Sequence, residues 1–276
     1  MDDLSGYVSY DRLAIEPLRR RGWAVEEVSW RDDAADWSAF DAVVVRTTWD
    51  YHRHPLEFSA AIDRIAAATH LENSARLIKW NIDKRYLKEL AAAGVPIVPT
   101  LFTEDHAGAD QFAEWRSKLG AAELILKPSV SANSDNTFRT NRLTAQISSE
   151  MNGRAYMVQP FLSSILTEGE YSLFFFGGEY SHAVVKRPAS GDFRVQEEHG
   201  GIIRNYSAPK ELLSAAENVL LALGEMPLYA RVDLVRGDSE FELMELELIE
   251  PSLYFQYSNG SAELFAAKFA EKMNEL

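Results

Sequence analysis

The sequence contains no cysteine among its 276 residues. That absence excludes disulfide bonds, zinc–thiolate sites and cysteine nucleophiles. Basic residues are also scarce, since 28 Lys and Arg stand against 42 Asp and Glu and leave a net charge of −14. Because no basic surplus is present to neutralise phosphates, we expect neither a nucleic-acid partner nor binding to a membrane surface.

Several familiar sequence signals are missing as well. No GxxxxGK[ST] occurs and no GxGxxG follows a strand, so neither a P-loop nor a Rossmann dinucleotide site is supported. No nucleophile elbow accompanies the histidines. The N-terminus is polar and no apolar run approaches the roughly 20 residues that span a bilayer, so we expect a cytoplasmic protein. Nothing in the sequence specifies an oligomeric state.

The composition, 46% hydrophobic and 11% aromatic, is that of a globular protein. The first 73 residues have the pattern of a small open α/β unit, with a short strand at 25–28 and a buried parallel strand at 40–45. The second strand ends at a polar run, residues 46–52, and open α/β sheets bind ligands at that end. No apolar first strand follows Met1, which leaves open whether one precedes it.

Residues 228–255 have the pattern of two strands folded back on each other. Apolar and polar residues alternate in both strands, and turn residues at 237–239 join them. With a loop of those three residues, the odd-numbered positions of both strands share one face. Arg231 then lies opposite Glu245, and Asp233 is a diagonal neighbour of Glu245.

That face carries two apolar residues and then two carboxylates, Glu245 and Glu247. Burying unpaired carboxylates is costly, so a buried pair needs cations. Mg²⁺ meets that need, because it is a hard ion held by a few carboxylates together with phosphate oxygens. An exposed acidic face, or a single salt bridge with Arg231, explains the pattern equally well.

An ordered set of short motifs runs through the chain. It comprises NIDKRY at 81–86, LKP at 126–128, VQPF at 158–161, EGEYS at 168–172, Arg187, Arg194, RVD at 231–233 and ELE at 245–247. In order and spacing the set resembles the ATP-grasp superfamily and its glutathione-synthetase-like branch. The runs RTTWDY and QPF…EGEYSL are also similar to the ATP-dependent O-ureido-serine cyclo-ligases of cycloserine biosynthesis. The resemblance spans roughly residues 40–276.

The resemblance implies a mixed α+β and α/β protein in which ATP lies between two α+β subdomains. Mg²⁺ would bridge the phosphates, and Mn²⁺ would serve as well. We therefore expect an N-terminal α/β (pre-ATP-grasp) domain at 1–74, a small subdomain or lid at 75–160, and a C-terminal subdomain carrying the metal-binding hairpin at 161–276.

Six residues match nucleotide positions of the superfamily: Lys84, Lys127, Ser131, Gln159, Phe161 and Glu170. The two lysines correspond to phosphate-binding lysines, although Lys84 lies in a basic helical stretch where a solvated surface role is also open. Gln159 and Phe161 match the hinge strand that reads adenine, and Glu170 matches the carboxylate on the ribose. The loop 129–137 offers serine and asparagine where the superfamily uses glycine, so it is either a lid over the phosphates or a plain surface loop.

The resemblance assigns the metal to Asp233, Glu245 and Glu247. The last member of this triad is more often Asn, and a further acid at Glu250 leaves open which of the two completes the coordination.

Arg231, Arg194 and Arg187 match positions that stabilise a transferring phosphoryl group and a tetrahedral carbon.

A substrate site follows from the polar run after the strand at 40–45. Arg46 matches a carboxylate-binding position, and with Trp49 and Asp50 it offers a fork for a carboxylate and a carboxylate for an ammonium group. Packing against a neighbouring domain explains Trp49 equally well.

We conclude from the sequence that the protein is an ATP- and Mg²⁺-dependent ligase. A carboxylate of a small, amino-acid-like molecule is phosphorylated, and a nitrogen nucleophile then displaces phosphate. Two alternatives remain, namely a phosphotransferase on the same scaffold and a non-catalytic ATP-binding protein. Ligation and cyclisation are not distinguished.

Overall fold

The fold is organised by β-sheets, each formed by strands that are close in sequence. The computed structural model describes residues 1–2, 7–104 and 108–275. Within them, a two-stranded sheet lies near the N-terminus, a four-stranded sheet in the middle of the chain and a five-stranded sheet toward the C-terminus. One α/β unit followed by two α+β units is the fold class that the sequence predicts.

The strands are short in the first two sheets and longer in the third. In chain order they are β1 (Ala42–Val44), β2 (His70–Glu72), β3 (Leu101–Thr103), β4 (Leu124–Pro128), β5 (Phe138–Thr140), β6 (Tyr156–Pro160), β7 (Glu170–Phe176), β8 (Glu179–Arg187), β9 (Ile202–Tyr206), β10 (Tyr229–Arg236) and β11 (Phe241–Glu247).

The α-helices lie before, between and after these strands. They are α1 (Ile15–Arg20), α2 (Pro55–Ala68), α3 (Ala75–Asn81), α4 (Tyr86–Ala92), α5 (Ala109–Leu119), α6 (Ala145–Met151), α7 (Ser164–Thr167), α8 (Lys210–Leu221) and α9 (Ser261–Asn274).

The N-terminal unit has one crossover. Strands β1 and β2 pair in parallel, and α2 connects them and buries Phe58 and Ile62 against the sheet. Residues 25–28 do not form a strand. Because a strand exists only by pairing its backbone groups with a neighbour, and no described strand pairs with this segment, the prediction of a strand there is wrong.

The four-stranded sheet is antiparallel, in the order β3-β6-β4-β5. One face packs against α5 and α6, where Leu126 and Val158 meet Phe112 and Met151 in a small core. Side chains alternate along a strand, so Ile125, Lys127 and Gln159 face the opposite side. That opposite side forms one wall of the cavity described below.

The five-stranded sheet is antiparallel, in the order β11-β10-β7-β8-β9. Its central strand β7 is buried along its whole length because both faces of the sheet are covered. One face packs against α8 as well as α3 and α4, and the other face packs against α9. Leu77 and the buried residues of α4 thus pack with the C-terminal sheet, while Ile78 and Ile82 pack with the N-terminal unit. The sequence assigned residues 75–92 to the second domain.

The hairpin of β10 and β11 forms, but its register differs from the prediction. Arg231 lies opposite Glu247, and Asp233 lies opposite Glu245. Two features cause the difference. The turn is wider, closed by Gly237 N–H on the carbonyl of Glu240 at 2.9 Å, and a β-bulge follows Asp233.

The bulge decides which side chains face the cavity. Leu243 lies opposite Leu234 and packs in the core. The next two residues, Met244 and Glu245, both line the cavity, because the extra residue reverses the alternation. The prediction that Leu243 shares a face with Glu245 is therefore wrong.

Candidate active site

Two rows of paired residues cross the five-stranded sheet and bring its charged side chains together. In the first row Glu245 lies opposite Asp233, which lies opposite Ser172. In the second row Glu247 lies opposite Arg231. The strand register alone therefore places three carboxylates and one guanidinium on a single face.

Asp233 is the centre of this cluster and is only 2% exposed. It accepts hydrogen bonds from Arg231 Nε at 3.0 Å and from the Ser172 hydroxyl, and Lys186 Nζ lies 3.5 Å away. Burial acts to raise the pKa of Asp233, but Arg231 and Lys186 outweigh it and hold the pKa below its usual range. Asp233 is therefore ionised at neutral pH.

Arg231 also binds Glu247, so one guanidinium bridges two carboxylates. Burial raises the pKa of Glu247 to about 7 against the attraction of Arg231, and Glu245 and Asp233 add to the rise. The neighbouring carboxylates keep the pKa of Arg231 well above its usual range despite its burial. This side of the cluster carries more negative charge than Arg231 alone neutralises.

Lys84 and Lys127 approach the carboxylates from the other wall of the cavity. Lys84 is 5% exposed, and its Nζ lies 3.2 Å from Glu245 and donates to the carbonyl of Ser131. The helical stretch is interrupted between α3 and α4 at residues 82–85, and this interruption turns Lys84 inward. A solvated helix surface, which the sequence left open for Lys84, is thus excluded.

Lys127 is 8% exposed and lines the same cavity. Within the described part of the chain its ammonium group makes neither a hydrogen bond nor an ion pair. Burial lowers the pKa of Lys127, and nearby Glu245 only partly opposes this. A buried ammonium without a partner, at a cavity wall, is a site for an anion.

Lys186 is a site residue that the sequence analysis missed. It lies opposite Glu170 in the register of β7 and β8, forms an ion pair with it and lines the cavity. The next residue, Arg187, points to the other side of β8 and donates to the carbonyl of Glu168 at 3.0 Å. Alternation along β8 predicts that Lys186 and Arg187 face opposite sides, but the sequence does not show which of the two faces inward.

Gly169 allows this approach of the two strands. Its φ is +106°, and a Cβ there would lie 2.6 Å from the carbonyl oxygen of Lys186. Only glycine fits such a position, so the glycine of EGEYS serves the packing of Glu170 against Lys186.

The predicted adenine hinge lies on the opposite wall. Gln159 and Phe161 line the cavity together with Ile125 and Met244. Gln159 donates to the hydroxyl of Thr100 at 2.9 Å, and Arg139 stacks over the ring of Phe161 at 3.6 Å. The wall therefore combines apolar side chains with one amide side chain.

The loop at 129–137 closes one side of the cavity. Ser131, Asn133 and Ser134 line it, and Ser131 donates to the carbonyl of Pro128 at 3.1 Å. Asn133 and Ser134 have positive φ, at 53° and 57°. These residues adopt the left-handed conformation in which glycine is usual, so the Gly-poor loop follows the path of a glycine turn at some cost in strain.

Arg194 lies at the rim of the cavity, about one-third exposed, and pairs with Asp192 at 2.7 Å. Trp49 lines the cavity and donates to the carbonyl of Glu250 at 2.8 Å.

Arg46 and Asp50 do not come together at the cavity. Arg46 binds Asp11 at 3.0 Å, and Asp50 binds Arg31 at 2.8 Å. Since each is already paired on the N-terminal unit and neither lines the cavity, the predicted fork for an amino-acid substrate is not formed by them.

Comparison with known proteins identifies the family. A family model described as the N-terminal domain of D-cycloserine synthetase DcsG matches residues 1–73. Over 295 residues the chain is 35% identical to the cycloserine biosynthesis protein DcsG of Streptomyces lavendulae, covering 99% of this chain and 97% of that protein. The chain belongs to the DcsG family. It is an ATP-dependent carbon–nitrogen ligase of the ATP-grasp type.

Solved structures agree with membership of the DcsG family. The crystal structure of D-cycloserine synthetase DcsG matches with a TM-score of 0.84 at 33% identity, covering 96% of each chain. D-alanine–D-alanine ligase from Bacillus anthracis matches at 0.65 with 14% identity over 97% of this chain and 95% of that one. The ligase PsnB matches at 0.66 with 20% identity over 98% and 96%. The last two show the shared fold alone.

The donor set suits Mg²⁺ chemically, because Asp233, Glu245 and Glu247 supply only carboxylate oxygens. Among the residues that the structure describes, however, no three acidic or histidine side chains are gathered closely enough to hold an ion. Each of the three carboxylates instead pairs with a lysine or arginine. Those lysine and arginine groups balance part of the negative charge of the carboxylates.

In the described residues no helix is long and apolar enough to cross a membrane.

Proposed function

We propose that this member of the DcsG family uses Mg²⁺ and ATP to activate the carboxylate of an amino-acid-like substrate as an acyl phosphate. A nitrogen of the same molecule then attacks, so that a ring closes and ADP and phosphate leave. The observation that carries the proposal is the convergence of Lys84, Lys127 and the β10–β11 carboxylates on one cavity between two sheets.

Different residues of the cavity suit different parts of the nucleotide. The hinge at 159–161 and the apolar wall suit adenine, and Glu170 suits the ribose hydroxyls. Lys84 and Lys127 suit the phosphates, with Ser131 of the lid beside them. Lys127 supports this assignment most directly, because a triphosphate would supply the partner that its buried ammonium lacks.

Asp233, Glu245 and Glu247 would hold the divalent ion, either Mg²⁺ or Mn²⁺. When bound, the ion neutralises the phosphates and orients the γ-phosphoryl group for transfer. Displacement of the lysine and arginine partners from these carboxylates would accompany its binding. Solved PsnB structures contain Mg and ADP, and one D-alanine–D-alanine ligase structure contains ATP.

The proposed reaction has two chemical steps. A substrate carboxylate oxygen attacks the γ-phosphorus and the bond to the β-phosphate oxygen breaks, giving ADP and an acyl phosphate. The nitrogen then attacks the carbonyl carbon, loses a proton, and the carbon–oxygen bond to phosphate breaks. Arg231 lies beside the carboxylates, and Arg194 at the rim, where each can stabilise the negative charge that develops.

Ring closure is favoured over joining two molecules because of the relative at 35% identity, which is named for cycloserine biosynthesis. We therefore propose an O-ureido-serine-type substrate, whose own nitrogen is held within reach of its carboxyl carbon. An intramolecular nucleophile also gains the effective concentration that a second substrate lacks. PsnB was solved with a precursor peptide, so a peptide is the competing substrate class.

The test measures ADP release with O-ureido-D-serine and O-ureido-L-serine, and with pairs of free amino acids. We expect release with one O-ureido-serine isomer and a product smaller than the substrate by mass spectrometry. Release only with two amino acids together would replace cyclisation by ligation. No release with any of them would refute the substrate class.

Hydroxylamine distinguishes the acyl phosphate from stable phosphotransfer. We expect a substrate hydroxamate to accumulate in its presence, because hydroxylamine captures an activated carboxyl group. A stable phosphorylated substrate without hydroxamate would instead support the phosphotransferase alternative.

A further inference from the structure

The segment after β11, residues 248–254, has no regular strand or α-helix, yet its backbone is fixed. Five of its carbonyl groups each accept a hydrogen bond from a side chain of another part of the chain. The donors are Asn73 to Leu248 (2.8 Å), Tyr229 to Ile249 (2.8 Å), Trp49 to Glu250 (2.8 Å), Arg46 to Pro251, and His182 to Leu253 (3.2 Å). Side chains on such a segment are held in a defined direction.

One of those side chains is a buried carboxylate, Glu250. It is 7% exposed and lines the cavity that holds Lys84 and Glu245. Throughout the described residues its carboxyl group has neither a hydrogen bond nor an ion pair. Burial first, and then the charge of Glu247, raise the pKa of this group well above its usual range.

The cations nearest to Glu250 already serve other groups. Lys84 binds Glu245 and Ser131. Arg46 binds Asp11 and the carbonyl of Pro251. A buried carboxylate left without a cation is costly, so a position that keeps one at a cavity wall is suited to a positively charged ligand group.

We propose that Glu250 binds the α-ammonium group of the substrate and so selects an amino acid over its des-amino analogue. The proposal rests on the proposed function for the presence of an amino-acid-like substrate, and it takes over the role that the sequence analysis gave to Asp50. A primary ammonium suits the site, since it is a compact cation that donates up to three hydrogen bonds. Trp49, which donates a hydrogen bond to the backbone carbonyl of Glu250, forms the adjacent wall of the cavity.

A metal-ligand role for Glu250 is the competing assignment. Glu250 lies three residues beyond Glu247, past the end of β11 and off the sheet face that carries the other carboxylates. Glu250 therefore belongs to a different segment from the proposed metal carboxylates, and its own backbone contacts, not the strand register, set its direction.

The test compares Glu250→Gln with wild type by calorimetric titration in the presence of Mg²⁺ and a non-hydrolysable ATP analogue. The probes are O-ureido-D-serine, D-serine, and the des-amino analogue 3-(ureidooxy)propanoate. We expect Glu250→Gln to weaken binding of the amino acid that wild type binds by about 100-fold, as removal of one partner of a buried charge pair does. Binding of the des-amino analogue should change by less than about threefold, within the scatter of unlinked effects.

Glu198→Gln is the matched control, because Glu198 is an exposed carboxylate at the rim of the same cavity. It should leave both affinities unchanged. If Glu250→Gln weakened the binding of all probes equally, the proposal would be overturned. It would also be overturned if wild type bound the amino acids and the des-amino analogue equally well, or bound none of them. A raised Mg²⁺ requirement with unchanged selectivity would make Glu250 a metal ligand instead.

Turnover separates this proposal from the proposed function. If wild type binds an amino acid through Glu250 but releases no ADP with it, the proposed reaction fails and the ammonium site stands. If ADP is released while the Glu250→Gln variant keeps its preference for the amino acid, the reaction stands and the ammonium site fails.

Discussion

Two ionisable residues in the cavity have charged forms that burial disfavours, as the shifts in their pKa values show. Lys127 and Glu250 are both buried, line one cavity and have no partner in the described residues. Asp233, in contrast, is bound by Arg231, Ser172 and Lys186. Substitution of Lys127 or Glu250 should therefore change ligand binding more than the stability of the fold.

Replacing Lys127 by methionine should weaken ATP binding and leave the fold at least as stable. The change removes a charge-assisted contact to phosphate, which is worth about 10- to 100-fold in ATP affinity. It also removes the free-energy cost of burying an unpaired ammonium group in the folded protein. Calorimetry with ATP and thermal unfolding without nucleotide measure the two effects.

Lys118→Met is the control for Lys127→Met. Lys118 is exposed and, among the residues that the structure describes, pairs with Glu114 alone at 2.6 Å. Its substitution should leave ATP affinity unchanged, and a comparable loss there, or full ATP affinity in Lys127→Met, would contradict the assignment of Lys127.

At the scale of elements, the β-bulge in the β10–β11 hairpin governs which residues enter the site. One extra residue at Met244 turns Glu245 toward the cavity while Leu243 stays in the core. Without it, regular alternation would place the carboxylates on the apolar face.

Deletion of Met244 should therefore abolish nucleotide binding and lower the free energy of unfolding by about 3 kcal/mol or more, the cost of breaking buried ion pairs. Urea unfolding and nucleotide titration measure these effects. Deletion of Ser239, in the exposed turn of the same hairpin, is the control and should cost far less. Similar losses in both deletions would show that hairpin length, and not the bulge, matters.

His182 on β8 links the sheet to the segment at 248–254. It stacks on Phe174 with ring centroids 4.4 Å apart, and Nε2 lies 3.2 Å from the carbonyl of Leu253. Burial lowers the pKa of His182 to about 4. The unfolded chain therefore binds more protons than the folded one between pH 4 and the ordinary histidine value, and stability should fall as pH falls through that range.

Replacing His182 by glutamine should remove this pH dependence while keeping a hydrogen-bond donor. Between pH 7.5 and pH 5 we expect wild type to lose about 2 kcal/mol more than the variant, the value that the histidine shift implies at pH 5. Urea unfolding at both pH values gives the difference. An identical loss in both proteins would show that other groups dominate.

At the scale of the whole molecule, the cavity lies between the four-stranded and five-stranded sheets and takes residues from both. Lys127 and Gln159 come from the first sheet, and Asp233 and Glu245 from the second. A ligand that spans them should couple the two halves, because it binds only the folded arrangement.

Mg²⁺ with a non-hydrolysable ATP analogue should raise stability by about 2.7 kcal/mol at 100 times its dissociation constant. Hydrogen exchange should slow in both sheets and in the loop at 129–137. Removing Mg²⁺ with a chelator should reverse most of the effect, because the phosphates would then face unneutralised carboxylates. Protection confined to one sheet, or independent of Mg²⁺, would contradict a nucleotide held between them.

The sequence by itself determined the family, the fold class and most of the charged residues that line the cavity. Short motifs such as QPF and EGEYS carry chemistry in fixed order, and the alternation of β4 and β10 exposes Lys127 and Asp233 on one face each. These are local properties of the chain, and local pattern is what a sequence records.

Tertiary structure decided what depends on register and on packing between elements. The bulge at Met244 and the inward direction of Lys186 follow from pairing between strands. Arg46 and Asp50 are held away from the cavity by Asp11 and Arg31, which lie in other segments of the chain. Alternation tells that two neighbours face opposite sides, but only the packed neighbours determine which side is the cavity.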